Sequence, residues 1–150
     1  MSRILSDGIG RGLNPRDIAR NLTEQTGIEA RRGHRIARTE VPMALRRARW
    51  DEQDQAQEDY GTQAKLMHMS ALSPTTRLTH ARRHAKLFTS EETREWYARD
   101  ANAINCKCSQ VSVLVDEKGE PLVPAIVDRA RKNYQVMKDK GNGPWADDKE

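Results

Sequence analysis

The chain has 150 residues, of which 36% are hydrophobic, 5% aromatic and 32% charged, with a formal net charge of +4. That length fits one domain whose lean core is either small or completed by partners. No run of about 18 apolar residues exists to span a bilayer, Met1–Gly12 holds no apolar signal-peptide core, and Cys106 and Cys108 are too few for a secreted disulfide framework.

The expected place of synthesis is therefore a reducing cytoplasm. Charge is unevenly spread. Residues 1–50 carry eleven arginines and no lysine against five acids, and residues 51–60 carry five acids and no base. A basic face attracts phosphate backbones or acidic surfaces, and arginine's planar fork favours specific contact over a merely solvated charge.

In chain order, Ser2–Leu13 is a weak helix, loosened by Gly8, Gly10 and Gly12. Asn14-Pro15 is a firmer start, because Asn caps well and Pro at the first helical position loses no needed hydrogen bond. Ile18, Ala19 and Leu22 supply an apolar face, and Gly27 stands where a C-terminal cap belongs, which predicts a helix over 15–26. From Ile28 to Tyr60 the composition is helical, interrupted only by Pro42. Either a long helix kinks there or a new helix starts at Thr39; the kink is preferred. Ala37, Val41, Ala44 and Ala48 form a narrow small-residue face, and Arg31, Arg35, Arg38, Arg46 and Arg49 occupy the opposite flank.

Gly61 breaks the pattern, and Thr62–Ala71 reads as a strand. Thr75–Phe88 reads as a helical turn followed by irregular chain. Ser90-x-x-Thr93, with Glu91 and Glu92 in the first turn, starts a helix that runs to about Asp100. Val111, Val113 and Val115 alternate with Ser112 and Leu114 before a turn at Asp116–Gly119, the clearest strand signal in the chain. Pro124–Lys140 is a helix with Ile126, Val127, Ala130, Tyr134 and Met137 on one side. Gly141–Glu150 is a mobile tail with Trp145 as its anchor. The expected class is α+β: a helical N-terminal half, then a small mixed unit with a short antiparallel sheet and a C-terminal helix. The expected organisation is a helical region over 1–60, a compact α+β unit over 61–121, and a helix with its tail over 122–150.

Three constellations bear on chemistry. Arg38-Thr39-Glu40 reads as a structural cluster in which arginine orients a local carboxylate. His80 and His84, at helical spacing, with Cys106 and Cys108 make a four-ligand set for zinc. The alternative, which is preferred, is that the cysteines pack as small core residues and no cofactor is bound. No nucleophile elbow, phosphate-binding glycine loop or His-Glu-x-x-His is present. Arg77, Thr79, His80 and Arg83 make an acid–base set for nucleic-acid cleavage, but nothing in the spacing requires one. A non-enzyme is expected.

Three separated motifs resemble the phage Mu F-like head morphogenesis family of minor head proteins. Ile36-Ala37-Arg38-Thr39-Glu40 resembles its I-A-R-T-E helix, Arg77-Leu78-Thr79-His80 its R-x-x-H, and Asn105-Cys106-Lys107-Cys108 its N-C-R-C ahead of a hydrophobic strand. The family's usual Trp in the strand before R-x-x-H is replaced here by Met67, His68 and Met69, its Asp before that Arg is absent, its Asp-Gly after the His is His84-Ala85, and the last motif's arginine is Lys107. The resemblance implies a minor virion structural protein of a tailed phage. It implies the portal protein or the major capsid protein as partner, with packaged DNA as a further contact, and a place in the head interior or near the portal. Arg31, Arg35 and Arg38 share one side of a helix and call for acids or phosphate opposite them. The acidic run Asp51–Asp59, within the chain or from a neighbouring copy, is one source. The rival functions are a nuclease centred on His80 and a cytosolic nucleic-acid-binding protein.

Overall fold

Six helices and one three-stranded antiparallel sheet make up residues 1–149, the part of this computed structural model that is described. The order is α1 (Ser2–Gly10), α2 (Pro15–Thr26), α3 (Ala30–Tyr60), β1 (Ala64–Met69), α4 (Leu78–Ala81), β2 (Leu87–Phe88), α5 (Ser90–Ala98), β3 (Ser109–Leu114) and α6 (Pro124–Asp139), closed by a 3-10 turn at Pro144–Asp147. The class is α+β, as the sequence predicts.

Local chemistry sets several of these boundaries. The Asn14 side chain accepts a hydrogen bond from the Asp17 amide at 3.0 Å, and Gly27 closes α2 in the left-handed region at φ 70°. Helix α3 is one helix of 31 residues, about 46 Å long, with Pro42 in its interior. Thr39 is thus an interior position and not a cap; its hydroxyl donates to the Arg35 carbonyl at 2.8 Å. Helix α5 starts on a different signal from the one expected. Thr89 is the cap, its hydroxyl accepting from the Glu92 amide at 3.1 Å while the Glu92 carboxylate accepts from the Thr89 amide at 2.8 Å. This reciprocal capping box replaces the Ser90-x-x-Thr93 pairing.

Backbone contacts divide the chain into two compact units: Met1–Arg49 with Trp96–Cys106, and Trp50–Glu95 with Lys107 onward. In the first, Ile18, Ala19, Leu22 and Ala37 are buried, with Ile4, Leu5, Ile9, Leu13, Ile28, Ile36 and Val41 packed around them. Helices α2 and α3 come close at Gly33. A Cβ there would lie 3.0 Å from the Ala19 carbonyl oxygen and 3.0 Å from Thr23 Oγ1.

In the second unit the strand order is β2-β1-β3. Leu66 pairs with Phe88 on one side, and Met67 with Val111 and His68 with Gln110 on the other. Alternation gives β1 two faces. Met67 faces an apolar cluster with Ala85, Val113, Val127 and Ala130, flanked by Met69 and Leu87. Leu66, His68 and Ser70 point the other way and are also buried. There Trp50 Nε1 donates to Gln110 Oε1 at 3.3 Å, Ser112 donates to Gln53 Oε1 at 2.7 Å, and Gln53 donates to Ser90 at 3.3 Å. Toward the C-terminus, Trp145 is buried with Leu72 and Ala81 and donates its indole N–H to the Ser73 carbonyl at 2.9 Å. Asp148 takes both Arg82 Nε and Nη2 at 2.7 and 2.8 Å. Trp145 therefore anchors the tail as expected; Glu150 lies outside the described residues.

Gly33 tests the first unit. Gly33→Val places methyl groups against a backbone carbonyl that cannot move aside cheaply, and it should cost about 1–3 kcal/mol in urea unfolding. Gly10→Ala, at a helical position with nothing within 4 Å, should be neutral or slightly stabilising in the same assay.

Candidate functional site

Arg31, Arg35 and Arg38 recur at i, i+4 and i+7 on α3 and so share one flank. With Arg16 of α2, His34 and Asn105 they line a cleft of about 530 Å³ within the first unit. Asn105 adopts φ 51°, a left-handed conformation that Asn tolerates better than most residues. That turn lets its amide donate to Thr39 Oγ1 at 3.0 Å. Thr39 thereby joins the I-A-R-T-E segment to the Asn105 turn and braces the cleft wall.

Among the described residues no carboxylate lines this cleft, and Arg16, Arg31, Arg35 and Arg38 make no ion pair. The Arg38–Glu40 pairing expected from the sequence is not made; the hydroxyl of Thr39 ties that motif down instead. Asp51 and Asp54 serve Arg94 at 2.8 and 2.9 Å.

Arg46 departs from the expected flank. It is only 5% exposed, its Nη2 donates to the Cys106 carbonyl at 2.9 Å, and its guanidinium lies 4.9 Å from the Tyr97 ring centroid. The end of α5 and the turn before Cys106 cover this stretch of the helix, so Arg46 is an internal brace and not a binding residue. Arg49 is exposed.

The second unit holds a different cluster. His68 of β1, His80 of α4 and Cys108, just ahead of β3, bring one ligand atom each to within 4.8 Å of one another, and all three are buried. His80 Nδ1 lies 3.5 Å from Cys108 Sγ, and Cys108 Sγ lies 3.7 Å from Ser70 Oγ. Arg77 is exposed ahead of α4, and its carbonyl accepts from the His80 amide at 3.0 Å.

Of the four residues read as one ligand set, the structure brings together His80 and Cys108. Helix α4 ends at Ala81, and Ala85 turns the chain at φ 61°, so His84 does not share a helix face with His80. His84 Nδ1 accepts from the Ser70 amide at 3.1 Å, and its Nε2 lies 3.1 Å from the Ala130 carbonyl, where it donates. Cys106 belongs to the first unit, its Sγ 3.7 Å from the Tyr97 hydroxyl. His68, which the sequence-based set does not include, completes the cluster. The signal that reveals it is the period-2 face Leu66, His68, Ser70 beside Cys108.

The sequence matches the family of Phage Mu protein F like proteins over residues 2–111. The chain belongs to that family. No curated protein and no solved structure matches it. The matched span of this Phage Mu F-like chain covers the arginine cleft and all three residues of the histidine–cysteine cluster, while α6 lies beyond it.

His84 carries a pH prediction. Burial pushes its pKa below the ordinary histidine value, and protonating Nδ1 would set it against the Ser70 amide donor. With the folded-state value below the unfolded one, its contribution is full above pH about 6.5 and is lost as pH falls toward the folded value. The thermal midpoint should drop between pH 7 and pH 5, and His84→Gln should flatten that dependence while lowering the midpoint at pH 7.

Proposed function

We propose that this chain is a minor structural protein of a tailed-phage head. In this reading it is made in the host cytoplasm and incorporated with the portal or the inner capsid shell during assembly. Family membership supports the head-morphogenesis part. The observation that carries the contact is the cleft of Arg16, Arg31, Arg35 and Arg38, a concentration of guanidinium groups with no carboxylate among the described residues lining it. Such groups hold carboxylates or phosphates in bidentate geometry. The expected partners are an acidic surface of the portal or major capsid protein, and packaged DNA. No helix among the described residues is long and apolar enough to cross a membrane.

The rival reading as a nuclease at His80 meets a physical obstacle. That ring is 2% exposed and faces a thiol, so a polynucleotide has no approach to it.

Replacing Arg31, Arg35 and Arg38 together by glutamine separates the partners. If the cleft holds DNA, the log–log dependence of DNA affinity on salt should flatten by up to about three units. If it holds protein, DNA affinity should stay near its starting value and the variant should be depleted from purified particles. An unchanged salt slope together with normal incorporation overturns the proposal.

A further inference from the structure

We propose that His68, His80 and Cys108 form a zinc site that ties β1, α4 and the entry to β3 together. This inference stands apart from the arginine cleft and concerns only the second unit.

The donor set makes the case first. Two imidazoles and one thiol, with no carboxylate among them, suit zinc and not magnesium or calcium, which take oxygen ligands. The separations come next. Bonds of about 2.0 Å to nitrogen and about 2.3 Å to sulfur at a tetrahedral angle put the two ligand atoms about 3.5 Å apart. His80 Nδ1 and Cys108 Sγ stand at 3.5 Å. The ligand atoms all lie within 4.8 Å of one another, so His68 needs an inward closure on the order of 1 Å to complete a zinc shell.

Surrounding residues hold the ligands in place. Gln110 Nε2 lies 3.5 Å from His68 Nδ1, and Trp50 fixes that amide through its bond to Oε1 at 3.3 Å. Ser70 Oγ stands 3.7 Å from Cys108 Sγ and can turn its hydroxyl toward a thiolate. Such supporting contacts orient first ligands at metal centres. Three protein ligands leave a fourth position for a small molecule, water first. The balance of the binding step is simple: the Cys108 thiol gives up its proton as the sulfur–zinc bond forms, so one proton leaves for each ion bound. Because the three residues are buried, the ion enters as the chain folds, and it closes loops of 12 and 28 residues between His68, His80 and Cys108.

The test uses the full chain refolded with zinc(II) or cobalt(II) chloride. The expected result is one metal per chain, a raised thermal midpoint with zinc, and with cobalt a thiolate-to-metal charge-transfer band in the near ultraviolet. Cys108→Ser should abolish that band, His68→Gln should weaken metal binding at least tenfold, and Cys106→Ser should leave the band intact. The proposal is overturned by a folded wild type that shows no band, by a band that survives Cys108→Ser, or by one that Cys106→Ser removes with the fold retained. If Cys108→Ser does not fold, the wild type still decides. Release of about one proton per zinc at neutral pH supports the site, and binding without proton release rejects it.

Discussion

Strand β1 is central in its sheet, paired on both edges and covered on both faces, and one of those faces is polar. Nearly everything in the second unit answers to that fact. Buried polar groups cost about 1–3 kcal/mol each when left without partners, so His68, Ser70 and Gln110 require a matching polar surface. Trp50 and Gln53 of α3 supply it, with Ser90 at the start of α5. The opposite face needs only apolar volume, which Val127 and Ala130 of α6 provide. Because side chains alternate, slipping β1 by one residue would turn Met67 and Met69 toward Trp50 and Gln53 and drive His68 into the cluster around Val127. The polar layer thus fixes register more firmly than an apolar layer would, and it delivers His68 beside His80 and Cys108.

The first unit is organised by a different constraint, the closeness of α2 and α3. Gly33 permits that approach, and it leaves one flank of α3 turned away from the core formed by Ile18, Leu22 and Ala37. Arginines on that flank meet two fates. At Arg31, Arg35 and Arg38 the flank is open and charge accumulates in a cleft. Two to four turns later Arg46 lies under Tyr97 and the Cys106 carbonyl, where the guanidinium bridges a ring and a backbone acceptor. The side chains are identical, and only tertiary cover separates an exposed guanidinium from an internal one.

That contrast marks where sequence reasoning succeeds and stops. Asn14, Pro15 and Gly27 bound α2 through contacts within a few residues, so their role is legible in the string of letters. The same holds for the alternation that predicts β3 and the apolar spacing that predicts α6. Two-residue β2 has no local signal, because it is defined by pairing with Leu66 and Met67. The clustering of His68 with Cys108 spans forty residues and depends on strand register. Spacing alone pairs His80 with His84, but α4 ends at Ala81 and the left-handed turn at Ala85 sends the two rings apart.

The Asn105-Cys106-Lys107-Cys108 motif shows what such a short pattern accomplishes physically. Two cysteines two residues apart would share a face in a regular strand. Here the left-handed turn at Asn105 comes first, and the chain passes from one compact unit to the other within the motif. Cys106 accordingly meets a tyrosine hydroxyl and lends its carbonyl to Arg46, while Cys108 meets an imidazole and a serine. A thiol beside a phenol is a small packing group. A thiol within 3.5 Å of an imidazole nitrogen, with a second imidazole close by, is a donor set for a borderline-soft cation. The two cysteines are therefore different chemical devices, and the motif's spacing serves to separate them, while Asn105, through Thr39, holds the arginine-bearing helix at the same point of the chain.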